Sequence, residues 1–174
     1  ILQGSGSLKR KMDFKVTYDI KSPLFINGNG GNGENMIYHS LLSGFSQGLS
    51  AGSSYEKLDT TGNNTRRISC WNTSLVNLFR VAYQEDKRHI SKNKTLILVK
   101  DSLKIAGPLG TGIPVTEWRK SRSYCYELVV PPAQAANAFG IMRQELEKLF
   151  SDYKVGMEKL KRNCLVLVRT SEIH

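Results

Sequence analysis

The sequence predicts an α+β domain: a mixed, mostly antiparallel sheet with two main helices packed on it, built from two strand–helix–strand units. Three observations lead there. Residues 73–83 and 132–150 carry apolar side chains at helical spacing, several short segments alternate or run apolar as strands do, and glycine-rich stretches separate them. At 174 residues with 40% hydrophobic and 23% charged residues, the chain is large enough for one well-cored domain.

In chain order, Phe14, Val16, Tyr18 and Ile20 alternate with Lys15, Thr17 and Asp19, the period-two mark of a half-buried strand that Pro23 ends. The NGNGGNGEN run at 27–35 is a loop, because Asn and Gly tolerate positive φ and hold no periodic apolar face. The segment 36–49 stays open: Ile37, Leu41 and Phe45 suit one helical face, but Gly44 and Gly48 weaken it, and the uncertainty extends to residue 60. Residues 50–65 form a second loop and 66–71 a short strand. Thr73 or Ser74 caps a helix whose stripe is Leu75, Leu78, Phe79, Ala82 and Tyr83.

The apolar run 96–99, bounded by Lys94 and Lys100, is expected to be a strand covered on both faces. From 104 to 123, Gly107, Pro108, Gly110, Gly112 and Pro114 predict a mobile connection. A strand at 124–130 ends on Pro131 and Pro132, and the second proline opens the strongest helix, with Ala135, Ala138, Phe139, Met142, Leu146, Leu149 and Phe150 on one stripe. Two further strands are expected at 154–160 and 164–168. Residues 1–12 read as a linker remnant and 13–174 as a single domain. The start at Ile1 and the Gly4–Ser7 stretch suggest a piece of a longer chain, with any targeting signal upstream.

Twenty-five Lys and Arg against 15 Asp and Glu give a net charge of +10, which favours polyanionic partners without specifying one. No apolar run approaches the roughly 18 residues that a membrane-spanning helix needs. Gly28, Gly30 and Gly33 match G-x-G-x-x-G, yet the buried strand and following helix of a dinucleotide site are missing, so an ordinary turn is the better reading and no cofactor is expected.

Cys70, Cys125 and Cys164 lie far apart, without a Cys-x-x-Cys pair, and each falls in an expected strand as a small buried hydrophobe. A Cys125–Cys164 bridge would join opposite ends of antiparallel neighbours, roughly 15 Å apart at about 3.3 Å per residue, so free thiols are expected. His39, His89 and His174 share no metal-ligand spacing, and no catalytic or metal residue is assigned. Glu127 and Glu145 are the carboxylates nearest the expected core; Glu127 should pair with a strand neighbour such as Arg169 or face solvent. Trp118, Arg119, Lys120 and Arg122, with Tyr124, interleave aromatic and basic side chains, a candidate polyanion or nucleic-acid surface whose plainer reading is a solvated basic loop.

Two stretches, ISCWNTSLVNLFRVAY at 68–83 and YCYELVVPPAQAANAFGIMRQELEKLFSDYKVGMEKLKRNCLVLVRTS at 124–171, together with FKVTYDI and NGNGGNG, resemble an uncharacterised domain of exported bacterial proteins. In some of these the domain is joined to a TlpA-type, thioredoxin-like thiol-disulfide reductase. The resemblance implies a non-catalytic accessory domain in the periplasm or cell envelope. Its partner would be the thioredoxin-like domain of the same parent chain or another envelope protein. It carries over no catalytic residue, because the reductase's Cys-x-x-Cys is absent here. Two alternatives remain: single-cysteine thiol chemistry, and polyanion binding through the basic-aromatic stretch.

Overall fold

The computed structural model describes residues 18–33, 36–57, 66–84, 90–108 and 110–161. Its centre is a four-stranded sheet in the order β1-β4-β3-β2, with β1 His39–Ser43, β2 Gly52–Glu56, β3 Arg67–Thr73 and β4 Tyr124–Val129. All three pairings among the described residues are antiparallel, so the architecture is α+β with a mostly antiparallel sheet, as expected.

Strand alternation divides the residues of β3 and β4 between two faces. Ile68, Cys70, Tyr126 and Leu128 point into the buried core, and the helices α1 (Leu75–Ala82) and α4 (Ala138–Leu149) close over them with Leu78, Phe79, Met142 and Leu146. Ser74, not Thr73, caps α1: its side chain accepts the Asn77 amide at 3.2 Å. Pro132 opens a 3₁₀ segment, Pro132–Asn137, that runs directly into α4. The stripe expected on α4 is buried at Ala138, Met142 and Leu146, but Leu149 is 55% exposed. Phe150 packs edge-on against Phe79 and Tyr124.

Several expected elements differ. The segment left open at 36–49 contains edge strand β1. The loop expected at 50–65 contains edge strand β2, where the Trp71 ring lies so close over Gly52 that a Cβ there would meet it at 3.3 Å. The connection expected at 104–123 is instead largely helical, with α2 at Ser102–Ala106 and α3 at Val115–Arg122. Trp118 explains that order: it is buried, and its indole donates to the Leu103 carbonyl at 2.7 Å, fastening α3 to α2.

The strand expected at 96–99 does not form, because only Ile97 reaches the core while Leu96 and Leu98 face outward. Neither does the strand expected at 154–160. Val155 packs inward and its carbonyl accepts from the Tyr83 hydroxyl at 3.0 Å, whereas Met157 is 70% exposed.

Of the expected first strand, residues 14–17 lie outside the described residues. Tyr18 and Ile20 are exposed, because Asp19 folds the chain into a turn by accepting from the Lys21 amide and the Ser22 hydroxyl. The strand expected at 164–168, with Cys164, also lies outside the described residues, as do His89, Arg169 and His174. No described helix is long and apolar enough to cross a membrane.

Candidate functional site

The outward face of the sheet carries the densest polar cluster, and strand register builds it. Glu127 stands in the middle of β4, directly opposite Leu41 of β1 and Ser69 of β3, while His39 and Arg67 both register with Val129 two positions along. On one face of an antiparallel sheet such direct and diagonal neighbours lie within side-chain reach. Arg67 accordingly donates from Nε and Nη2 to Glu127 Oε2 at 2.9 and 2.7 Å, and Ser69 Oγ donates to the same oxygen at 3.0 Å. His39 Nε2 donates to Oε1 at 2.8 Å, and Arg67 Nη1 reaches Glu56 at 3.4 Å. Glu127 therefore pairs with a strand neighbour as the sequence suggested, but the partner is Arg67; Arg169 lies outside the described residues.

Burial pushes the Glu127 carboxyl up, yet the hydrogen bonds from His39, Arg67 and Ser69 and the guanidinium charge outweigh it and hold the group below its ordinary value. The arrangement is wrong for nucleophilic catalysis. Ser69 gives its hydroxyl proton to Glu127 and has no hydrogen bond to His39, so no base is set to activate it. A carboxylate held ionised by a guanidinium is also a weak proton acceptor.

A second cluster joins the sheet to α4. Ser40 Oγ and the Tyr126 hydroxyl each donate to Glu145 Oε2 at 2.5 Å, and the Tyr38 hydroxyl donates to Oε1. Burial, then the hydrogen bond and charge of Glu145, push Tyr38 up to about 12 and Tyr126 higher still. Burial also raises Glu145, but the three hydroxyls more than offset it and leave its carboxyl below the ordinary range. The cluster ties β1, β4 and α4 together through one anion.

The sign of these shifts fixes a pH response. A carboxylate depressed in the fold stabilises it above the ordinary Glu value of 4.5, and that contribution disappears as pH falls through the depressed folded value. The urea midpoints of the native chain and Glu127→Gln should therefore be well separated at pH 7 and converge as the pH is taken below that range. A separation that stayed constant across the series would remove the ionised network as a source of stability.

The two described thiols are buried. Cys70 is fully buried on the helix side of β3, and burial, then the neighbouring Cys125, push its thiol up to about 12. Cys125 is also buried, and its sulfur sits 3.4 Å from both the amide and Oδ1 of Asn72. Both are free cysteines in strands, as expected.

Among the basic-aromatic residues, Trp118 is buried and Tyr124 packs on Phe150, so the Trp118 ring is not presented for stacking in the way a candidate polyanion surface would use it. Arg119, Lys120 and Arg122 occupy the last turn of α3, where cations complement the helix dipole. Gly28, Gly30 and Gly33 all have positive φ and the next element is a strand, as an Asn/Gly turn requires. Among the described residues no group of three or more His, Cys, Asp or Glu side chains converges as a metal site would.

Sequence reasoning missed His39, Ser69 and Arg67 as partners of Glu127, and Tyr38, Ser40 and Tyr126 as partners of Glu145. The alternation of Glu127 with Tyr126 and Leu128 was a usable signal that it faces away from the helices, but the partners follow only from register.

Fold and clusters together define an α+β domain with two carboxylate-centred hydrogen-bond clusters, one on the outward face of the sheet and one between the sheet and α4. Set against known protein families, curated proteins and solved structures, the chain matches none of them.

Proposed function

We propose that this chain is a non-catalytic, protein-binding accessory domain of a bacterial cell-envelope protein, of the kind joined to TlpA-type thioredoxin-like reductases and working in the periplasm or envelope. The observation that carries this reading is a combination on one sheet. Glu127 and Glu145 are held by hydrogen bonds from their neighbours and Cys70 and Cys125 are buried, while β1 pairs on one side only among the described residues and exposes Leu41, with Ile37 and Tyr38 just ahead of it. An open strand edge flanked by apolar side chains is suited to receiving an extended segment of a partner. The resemblance at 68–83 and 124–171 supplies the class of partner.

Two measurements test it. In a Cys164→Ser background, Cys70 and Cys125 should resist a thiol reagent in buffer, react fully in denaturant, and support no insulin reduction. Rapid labelling of the folded chain together with turnover would favour the thiol-enzyme alternative instead. Added TlpA-type reductase domain should slow hydrogen exchange at the β1 amides, and unchanged exchange at saturating concentration would count against the partner.

A further inference from the structure

We propose that the chain between α1 and β4 carries a docking surface for an anionic phospholipid bilayer, with Leu96 and Leu98 entering the acyl boundary and the lysines around them meeting the headgroup phosphates. Three features of the segment converge on this. The first is sequence: the apolar run 96–99 is bracketed by Lys92 and Lys94 on one side and Lys100 and Lys104 on the other.

The second is geometry. The 3₁₀ turn Lys92–Lys94 ends in an extended Thr95, and α2 begins at Ser102, so the run bridges two short helical pieces without forming a regular element. Ile97 packs against the core and anchors the bridge, which turns its two neighbours outward: Leu96 is 53% exposed and Leu98 85%. Single exposed aliphatics are ordinary on protein surfaces, but a pair on either side of one anchored residue, bracketed by cations, is not needed for solubility or packing.

The third is charge. Residues 90–122 hold seven Lys and Arg (Lys92, Lys94, Lys100, Lys104, Arg119, Lys120, Arg122) against Asp101 and Glu117, a surplus of five within a chain whose whole surplus is +10. None of these side chains forms an ion pair among the described residues. The bond from Trp118 to Leu103 holds α3, with its terminal cations and the exposed Val115, to the same unit.

A bilayer rewards this pairing in both parts. Lysine stems lie along apolar surface while their ammonium groups reach phosphate, and aliphatic side chains enter the hydrocarbon below. A nucleic acid would reward the cations but offers nothing to Leu98, and the ring that would stack on bases, Trp118, is in the core. This surface is separate from the β1 edge and does not depend on the reductase reading.

The test is co-sedimentation of the full chain with phosphatidylglycerol vesicles and with phosphatidylcholine vesicles. Binding should be seen with the former, weaken as salt is raised, and be absent or far weaker with the latter. Lys92→Gln/Lys94→Gln should lower affinity about 25-fold, at about fivefold for each charge near the surface. Leu96→Ser/Leu98→Ser should lower it about tenfold or more, with an unchanged thermal melt because both side chains are already exposed. Equal binding to both lipids, or to neither, overturns the proposal, as does full binding by the serine variant. Lysine-dependent binding to a DNA duplex without vesicle binding would identify a polyanion site instead, and binding of neither vesicles nor DNA, with the leucines protected only by the reductase domain, would make the run a protein contact.

Discussion

Leu146→Ala is expected to lower the free energy of unfolding by about 3 kcal/mol, whereas Leu149→Ala, one turn further along the same helix, should change it by less than about 0.5 kcal/mol. Leu146 is fully buried among Leu78, Met142 and the sheet residues, so truncation removes transfer energy and leaves a cavity that the surrounding strands cannot collapse into. Leu149 is 55% exposed and loses little. Urea denaturation of both variants against the native chain makes the comparison. Equal losses would mean that α4 sits on the sheet in a different rotation, and would undo the placement of Glu145 beside Tyr126 and Ser40 as well.

That same pair of residues marks how far the sequence is legible. Helical spacing put Leu146 and Leu149 on one stripe, and the stripe identified the helix and its buried side correctly from Ala138 to Leu146. It failed at the last turn because periodicity knows nothing of where the sheet beneath the helix ends. Residues 96–99 failed for a related reason. Four apolar residues in a row satisfy a strand covered on both faces, but cover is a tertiary property, and here the core reaches only Ile97.

The two edge strands were hidden by their composition. Gly52, Ser53 and Ser54 read as a loop until Trp71 is seen lying over Gly52, and His39–Ser43 has only two apolar residues to show. The polar clusters were legible one partner at a time: Glu127 and Glu145 stood out as carboxylates near the core. Their donors lie 19 to 107 positions away in the chain, and only the tertiary fold brings them together.

Asn72 was not singled out by any pattern, yet the topology concentrates stability on it. In the order β1-β4-β3-β2 the consecutive strands β1 and β2 are the two outer edges, so the link at 44–51 must cross the ends of β4 and β3, roughly 14 Å at the usual strand spacing. Asn72 sits where the β3–β4 register shifts, at φ 42°, and takes hold of that link midway. Its Oδ1 accepts the Ser46 amide at 2.8 Å, and its Nδ2 donates to the Ser46 and Leu49 carbonyls at 2.8 and 2.7 Å.

Asn72→Ala should therefore cost about 3–4 kcal/mol: about 1 kcal/mol for each bond removed, and a further 1 kcal/mol or so for a left-handed backbone that asparagine tolerates and alanine does not. Asn72→Gly restores the backbone freedom but none of the bonds, and should recover about 1 kcal/mol of that loss. Native-state hydrogen exchange should show the loss first in β1 and β2, the strands whose link has been released, with β3 and β4 protected until global unfolding. A loss confined to less than about 1 kcal/mol, or spread evenly over all four strands, would mean that the link holds its path without the clamp.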